Sequence, residues 1–351
     1  MAKPEFNELT ISAVRKLTDD SVAISFTVPS SLANVYEFVP GQYLTLRTTI
    51  KGEDVRRSYS ICSKVGDQLE VGIKRLQGGL FSTFAQSLKA GDKLQVMTPQ
   101  GNFKAPVGGE HHYVLIAAGS GITPCLSIAK SVLELEPESR ITLVYGNRTT
   151  ASIMFRQDIN DLKDKYTTRL ITINVLSGER QDAECLNGRI DSGKIALLTD
   201  LKLLNTTDCD GVYLCGPAAM VEDVQSALGG DISIHTELFT TVDVAAVPTT
   251  ARVPVDSDAL SVRIIIDGAE RVVQMNPQVE TVLAAAQKAG LDLPFSCAGG
   301  MCCTCRCKVV SGKTAMDMNF SLADWEVEAG FTLACQTRPL DGSVLLDFDE
   351  F

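Results

Sequence analysis

Five cysteines lie within eleven positions near the end of the chain, and their spacing suits an iron–sulfur cluster. Cys297, Cys302 and Cys305 follow the pattern C-x4-C-x2-C, and Cys335 follows much later. This is the plant-type spacing at which four thiolates hold two irons. Small residues between the first two cysteines allow backbone N–H groups to approach the sulfurs and tune the reduction potential. The sequence therefore predicts a 2Fe–2S cluster with these four cysteines as ligands.

Two other interpretations of the cysteines are a set of buried free thiols and a zinc site. Zinc sites more often use two CxxC pairs or added histidines, and the three histidines, His111, His112 and His235, lie far from the cysteines in sequence. Cys303 and Cys307 are predicted to be spectators that point to alternate sides of the chain.

A second group of residues has the types that hold a flavin. Arg57-Ser58-Tyr59-Ser60 reads R-x-Y-S on a predicted strand, so that Arg57 and Tyr59 share one face. An arginine can hold a pyrophosphate bidentately, a tyrosine can lie against an isoalloxazine ring, and a glycine- and hydroxyl-rich helix start suits phosphate. The predicted flavin-binding residues are Arg57, Ser58, Tyr59, Ser60, Ile73, Lys74, Gly79, Phe81, Ser82 and Thr83.

A third group is typical of a nicotinamide site. Ala118-Gly-Ser-Gly-Ile-Thr-Pro124 follows a predicted strand and opens a helix, although it is not the G-x-G-x-x-G fingerprint. A second glycine-containing motif ends a later strand, at the sheet edge where α/β domains bind ligands. The candidates are Gly119, Gly121, Thr123, Pro124, Cys215, Gly216 and Pro217. Cys215 alone could equally be a core thiol at the end of a strand.

The choice of nicotinamide nucleotide depends on charge after the second strand of this region. The position that would carry an acidic residue for the ribose of NAD is occupied by Arg148, and Arg156 follows. A cation there can meet the 2′-phosphate of NADP. The sequence favours NADPH, with NADH as the alternative if both arginines are ordinary surface charges.

Three successive domains are expected to position these groups. Residues 1–107 predict an antiparallel β-barrel with strands at 22–28, 43–48, 58–61 and 69–74. Residues 108–239 alternate strands (113–118, 140–145, 170–176, 212–215) with helices (124–135, 155–165, 218–228), which predicts an α/β domain with a parallel sheet. Residues 240–258 resemble a linker, either swinging or fixed. Residues 259–351 predict an α+β domain with a hairpin at 261–275 and a helix at 281–289.

The charge and the apolar content of the chain indicate which classes of partner it can bind. The formal net charge is −11, which argues against nucleic acid. No apolar run reaches the length of a membrane span, and the first ten residues have no signal-peptide core, so a cytoplasmic location is expected. The acidic end, residues 347–350, could steer a basic partner or could simply be a solvated tail.

The order of the motifs resembles that of the ferredoxin–NADP reductase superfamily fused to a C-terminal plant-type, β-grasp ferredoxin. Within that superfamily the chain looks most like the reductases of phenylacetyl-CoA epoxidase. The resemblance implies that FAD is the flavin, FMN being the alternative, and that Tyr59, Ser60, Thr123 and Cys215 are the catalytic residues. It also implies that Phe239, in the motif His235-Thr-Glu-Leu-Phe239, closes the reductase module near the flavin.

The function implied is electron transfer from NADPH through FAD and the 2Fe–2S cluster to the oxygenase component of a phenylacetyl-CoA epoxidase. A flavin is needed because hydride carries two electrons and the cluster takes one at a time. The alternatives are the reductase of another ring-hydroxylating or steroid oxygenase, a redox-sensing iron–sulfur module, and a structural zinc protein.

Overall fold

The computed structural model describes residues 4–228, 232–239, 260–340 and 342–350. They form three domains, each built around one main sheet. In chain order we call them the barrel domain, the central domain and the C-terminal domain. Among these residues, no helix combines the length and the apolar composition that a bilayer crossing requires. The predicted linker, residues 240–258, lies outside the described residues.

The barrel domain is a six-stranded antiparallel sheet in the order β4-β3-β6-β1-β2-β5. A bridge between Ile61 and Val71 joins its two outer strands and closes it. A short helix, α1, covers the edge that carries the predicted flavin residues. The elements are β1 (Phe6–Thr18), β2 (Ser21–Thr27), β3 (Tyr43–Ile50), β4 (Glu53–Ser60), β5 (Glu70–Lys74), α1 (Leu80–Ala85) and β6 (Lys93–Met97).

The central domain is a five-stranded parallel sheet in the order β11-β10-β7-β8-β9, with helices between the strands. Its carboxyl edge brings together the ends of β7, β8, β10 and β11. The elements are β7 (His112–Ala118), α2 (Ile122–Leu135), β8 (Arg140–Asn147), α3 (Arg156–Lys165), β9 (Leu170–Leu176), α4 (Ser192–Asp200), β10 (Gly211–Gly216), α5 (Ala218–Leu228) and β11 (Ile234–Leu238).

The C-terminal domain has a five-stranded mixed sheet in the order β13-β12-β18-β14-β16, with α6 packed on it. Thr281 caps α6, and Gly290 follows it with a φ of 76°, as expected for a helix C-cap. The elements are β12 (Leu260–Ile266), β13 (Ala269–Met275), α6 (Val282–Lys288), β14 (Arg306–Ser311), β15 (Thr314–Met316), α7 (Asp324–Glu328), β16 (Phe331–Leu333), β17 (Thr337–Pro339) and β18 (Ser343–Asp347).

The barrel and central domains share one apolar core, whereas the C-terminal domain has its own. Barrel residues such as Phe103 and Ala105 pack with Tyr113 and Cys215 of the central domain. The core of the C-terminal domain is built from residues 262–348 alone. The first two domains are therefore fused by apolar packing, and the third meets them through other contacts.

The predicted strands and helices are confirmed with shifted ends. β4 begins at Glu53 rather than at the predicted residue 58. The earlier start was not predicted because the first residues of the strand are exposed and polar and give no apolar pattern. The sequence analysis missed β1, β6 and the strands after the cysteines. The acidic end is not a free tail: Asp347 ends β18, Phe348 is buried, and Asp349 accepts hydrogen bonds from the N–H groups of Asp267 and Gly268.

Candidate functional site

The carboxyl edge of the central sheet is packed so tightly that only glycine fits at its centre. A Cβ atom at Gly121 would lie 2.2 Å from the carbonyl oxygen of Cys215, and Gly119 has a φ of 55°. These glycines therefore let the turn after β7 lie directly against the end of β10. A backbone without side chains at the start of a helix is what a nucleotide phosphate requires, so the residues fit a nicotinamide nucleotide.

The other predicted nicotinamide residues surround this point. Thr123 and Pro124 are buried in the first turn of α2, where the hydroxyl of Thr123 donates to the carbonyl of Ser120 at 3.0 Å. Gly216 accepts a hydrogen bond from the N–H of Phe239 at 3.0 Å, and Pro217 begins the turn into α5. Both sequence motifs thus converge on one edge, and Phe239 lies beside them.

The flavin motif lies on β4, at the rim of the barrel that faces this edge. Ser60 is buried and Arg57 is exposed, with its guanidinium donating to the carbonyl of Arg56 at 2.7 Å. The rings of Tyr59 and Phe81 are 5.5 Å apart. Burial raises the pKa of Tyr59, so its hydroxyl stays protonated.

The remaining flavin candidates divide into packed and accessible side chains. Ile73 and Phe81 lie in the barrel core, so their side chains serve packing. Lys74 pairs with Asp20 at 3.7 Å. A Cβ atom at Gly79 would lie 2.5 Å from the hydroxyl of Ser82, and Thr83 is exposed. Ser82 is buried, and its hydroxyl accepts from the N–H of Leu76 at 3.1 Å, so of the two predicted hydroxyls only that of Thr83 is accessible to a phosphate group.

The sequence analysis missed Glu237 on β11, which joins the two halves of the site. The hydroxyl of Ser60 donates to its carboxylate at 3.1 Å, and the thiol of Cys215 lies 4.0 Å away. Burial of the carboxyl raises the pKa of Glu237 to about 7, and the hydrogen bond from Ser60 opposes this shift. Burial also raises the pKa of the Cys215 thiol well above its usual range. An acid that changes protonation near neutral pH is suited to holding or passing a proton.

Glu237 also opens on a cleft of about 450 Å³ between all three domains. Tyr43 from the barrel and Cys302 from the C-terminal domain line the same cleft. A larger cleft of about 690 Å³ is lined by ionic residues such as Arg15, Lys130 and Asp158, and none of the predicted site residues reaches it. Of the predicted site residues, the smaller cleft is lined by the cluster ligand Cys302, so this cleft borders the cysteines rather than the flavin and nicotinamide motifs.

Charges of both signs meet at the ends of β8 and β9. Arg148 and Arg156 are exposed, and the N–H of Gly178 donates to the carbonyl of Arg148 at 2.7 Å. The sequence analysis overlooked Glu179, whose carboxylate accepts hydrogen bonds from the N–H and the hydroxyl of Thr150, each at 2.7 Å. An acidic residue does stand at this edge, after β9 rather than after β8.

The four predicted cluster ligands lie together as two pairs. The N–H of Cys297 donates to the sulfur of Cys302 at 3.4 Å, and the N–H of Cys335 donates to the sulfur of Cys305 at 3.5 Å. In the described part of the chain, no three His, Cys, Asp or Glu side chains converge on one metal-ion position. Two pairs of thiols fit a two-iron cluster, because each iron of such a cluster needs two protein ligands.

Backbone N–H groups surround the first of these thiols. Gly299 and Met301 donate to the sulfur of Cys297 at 3.3 Å and 3.4 Å. The hydrogen bond with Cys302, and then these two amides, lower the pKa of Cys297 to about 6 against the opposing effect of burial. The amides of the loop of residues 297–305, which we call the cysteine loop, thus favour the thiolate of Cys297, as a cluster ligand requires. The bonds to their paired cysteines, together with burial, raise the pKa values of the Cys302 and Cys305 thiols.

The two predicted spectators lie apart from the pairs. The thiol of Cys303 donates to the carbonyl of Ser321 at 3.2 Å, and Cys307 is fully buried in the core of the C-terminal domain. Burial raises the pKa of the Cys303 thiol to about 12 and raises that of Cys307 as well. Because Cys303 is bonded to Ser321 and Cys307 lies in the apolar core, neither thiol is placed with the four predicted ligands.

Three protein families match successive parts of the chain. Residues 8–105 match the oxidoreductase FAD-binding domain, residues 115–226 match the oxidoreductase NAD-binding domain, and residues 264–340 match the 2Fe-2S iron-sulfur cluster binding domain. Each matched range falls within one of the three domains. The FAD, nicotinamide and 2Fe–2S expectations of the sequence analysis are confirmed at this level.

Relatives match the chain over its whole length. One subunit of the 1,2-phenylacetyl-CoA epoxidase from Escherichia coli (strain K12) is 44% identical, and the match covers 98% of both chains. The ferredoxin reductase component of 3-ketosteroid-9-alpha-monooxygenase from Rhodococcus rhodochrous is 31% identical, over 97% of this chain and 96% of that protein. The solved structure of phthalate dioxygenase reductase matches with a TM-score of 0.58 at 24% identity, covering 97% and 98% of the two chains, and confirms the fold.

Serine substitutions are expected to separate ligands from spectators. Cys302→Ser or Cys335→Ser should remove most of the iron and the visible absorption of the cluster, because one of the two irons loses a thiolate ligand. Cys307→Ser is the matched control on the adjoining strand, and Cys303→Ser tests the neighbour of a ligand. Both should keep the iron content of the native protein. Loss of iron in either of these two variants would contradict the assignment of ligands.

Glu237→Gln is expected to gain stability relative to the native chain as the pH rises. The folded protein keeps the Glu237 proton up to about pH 7, whereas the unfolded chain releases it near pH 4.3. The native chain therefore loses roughly 1–3 kcal/mol across this window, and glutamine removes that loss. The measurement is the difference in Tm between variant and native chain at about pH 5 and about pH 8. Glu222→Gln, at an exposed position on α5, should show no such change; an equal difference for Glu237→Gln at both pH values would count against the burial argument.

Proposed function

The chain belongs to the family of oxygenase reductases that combine an FAD-binding, an NAD-binding and a 2Fe–2S domain, and we propose that it supplies electrons to the oxygenase component of a phenylacetyl-CoA epoxidase. The observation that carries this proposal is the full-length likeness to a component of such an epoxidase. In this function the terminal oxygenase is the electron acceptor.

The bound groups supply the redox chemistry: a flavin takes up hydride from a nicotinamide and passes electrons on singly to a 2Fe–2S cluster. The chain supplies placement. Gly119, Gly121, Gly216 and Pro217 shape the edge that would hold the nucleotide, with Thr123 and Cys215 at its inner end. Phe239 closes this edge from β11. The cysteine loop holds the acceptor cluster.

Side chains of the barrel would hold and orient the flavin. Tyr59 presents its ring on β4, and Thr83 presents a hydroxyl in α1, where the buried Ser82 holds the preceding turn through the N–H of Leu76. Ser60 and Glu237 form a hydrogen-bonded pair at the meeting point of the two domains. Because the pKa of Glu237 is raised to about 7 by burial, its carboxyl can hold a proton at Oε1 while Oε2 accepts from the hydroxyl of Ser60.

NADPH is the proposed nucleotide, with Arg148 and Arg156 as the residues that would meet its 2′-phosphate. The carboxylate of Glu179 lies close by, but both of its oxygens accept hydrogen bonds from Thr150. A carboxylate has about four lone-pair sites, so Glu179 does not decide between the nucleotides, and the proposal of NADPH depends on the two exposed arginines.

A second candidate is the reductase of a steroid oxygenase. The identity to the ketosteroid monooxygenase component favours it, although that identity is lower than the one to the epoxidase component. A cytoplasmic location is part of the proposal. None of the eleven cysteines forms a disulfide, which suits a reducing compartment.

Reconstitution with two oxygenases tests the choice of partner. The purified holoprotein with NADPH should support product formation by the oxygenase component of a phenylacetyl-CoA epoxidase. With the oxygenase of a ketosteroid monooxygenase, turnover should be at most about one tenth of that rate, because docking surfaces discriminate between partners. Product is measured by mass spectrometry, with dithionite-reduced oxygenase as the control for oxygenase competence. The reverse order of turnover would favour the steroid candidate, and no reduction of the cluster by either nucleotide would favour a sensor.

Arg148→Ala should weaken the use of NADPH more than that of NADH. Removing one charged contact to the 2′-phosphate is expected to lower kcat/KM for NADPH about tenfold, with little change for NADH. Steady-state reduction of ferricyanide measures both nucleotides. Arg140→Ala is the control, since Arg140 is exposed at the opposite end of the same strand. Equal losses for NADPH and NADH would argue against a phosphate contact.

A further inference from the structure

The barrel contributes a tyrosine to the cysteine loop that no sequence motif predicts. Tyr43, the first residue of β3, is almost completely buried, and its hydroxyl donates to the carbonyl of Cys302. The hydroxyl of Thr304 lies 2.9 Å from the phenol oxygen of Tyr43. Because the phenol has a single proton and donates it to Cys302, Thr304 must be the donor in the second bond. One side chain thus holds the peptide of a predicted cluster ligand and the hydroxyl of a nearby loop residue.

The other end of Tyr43 lies next to the flavin motif. In the β3–β4 pair Tyr43 is directly opposite Ser60, and the next residue is opposite Tyr59. Cross-strand partners lie about 4.5–5.5 Å apart. Tyr43 therefore connects the strand proposed to hold the flavin with the loop that holds the cluster.

The position of the Tyr43 side chain is fixed by its surroundings. Its backbone exchanges two hydrogen bonds with Gln100, at 2.9 Å and 3.0 Å. A Cβ atom at Gly101 would lie 2.9 Å from the ring, and Gly101 has a φ of 114°. Only glycine leaves room for the ring there. A side chain held in this way can set the position of whatever it bonds.

Polar contacts on either side keep the C-terminal domain in the same place. Arg56 is only 4% exposed, lies 4.5 Å from the ring of Phe295 and donates to Asp292 at 2.7 Å. Ser58 donates to Ser296 at 2.8 Å, ahead of the first cluster ligand. On the far side Asn102 donates to Glu326 at 3.1 Å.

We propose that Tyr43 is a positioning residue for electron transfer: its hydroxyl holds the cysteine loop against the flavin-binding strand in the arrangement in which electrons pass to the cluster. This inference rests on the proposed function. Tyr43 is neither oxidised nor deprotonated in this role. The electron that leaves the flavin is the one that the cluster gains, and the phenol proton stays on its oxygen.

Tyr43→Phe tests the role, because it removes one oxygen and keeps the ring. We expect the flavin band of the holoprotein to bleach with NADPH at the native rate, while the cluster band bleaches about tenfold more slowly, as for the loss of one buried hydrogen bond. Stopped-flow absorption separates the two steps. Hydrogen exchange of the amides of residues 291–305 should also be faster in the oxidised variant, a readout independent of turnover.

Tyr36→Phe is the matched control. Tyr36 is a buried tyrosine of the same domain, and its hydroxyl donates to the carbonyl of Val96 at 2.6 Å, inside the barrel. This variant should change neither the cluster step nor the exchange of the loop. Asp292→Asn is the second variant, because Asp292 is exposed and its change does not threaten folding. It should slow the cluster step by roughly threefold by weakening the contact with Arg56.

Two outcomes would overturn the inference: native cluster kinetics in Tyr43→Phe, whether or not loop exchange becomes faster, or the same slowing in Tyr36→Phe. A native protein whose cluster is not reduced by NADPH at all would instead refute the proposed function, so the two failures are distinguishable.

Discussion

At Gly121 the turn after β7 lies against the carbonyl of Cys215, and at Gly72 the barrel lies against Thr123 and Phe155. A Cβ atom would come within 2.2 Å of its neighbour at the first position and 2.7 Å at the second. Cores are packed too densely to absorb such overlaps. The contact at Gly72 fixes the distance between barrel and central sheet, and the contact at Gly121 fixes the turn after β7 against the end of β10. Every residue proposed to lie between flavin and nicotinamide depends on these two contacts.

The third domain is attached by a different kind of force. Its contacts with the barrel are hydrogen bonds, an ion pair and a cation over a ring, with Tyr43 and Arg56 at the centre. Each such bond contributes a net of about 0.5–1.5 kcal/mol, far less than a shared apolar core. These polar contacts fix the orientation of the C-terminal domain on the barrel but contribute only a modest free energy of association. This suits a domain that must first receive electrons and then offer them to another protein.

Sequence patterns predicted those features of the structure that depend on residues close together in the chain. The alternation of strands and helices predicted the parallel sheet of the central domain, which the structure confirms. The spacing of the cysteines and the glycines after β7 marked the loops that are proposed to hold the cluster and the nucleotide. Glu237 and Tyr43 could not be found in this way, because their roles depend on Ser60, Cys215 and Cys302, which are distant in sequence. Glu179 was overlooked for a similar reason: the expected position for an acid followed β8, and the parallel pairing of β8 with β9 brings a later acid to the same edge.

The apolar core of the C-terminal domain closes within residues 262–348 and takes nothing from the other described residues. Separating such a domain exposes a small polar surface rather than an apolar one, so neither half pays a large solvation penalty. Genetic recombination can therefore move a domain of this kind to either end of a reductase, or onto another enzyme, without first evolving a new core. What must evolve anew is only the small set of polar contacts that seats its cysteine loop.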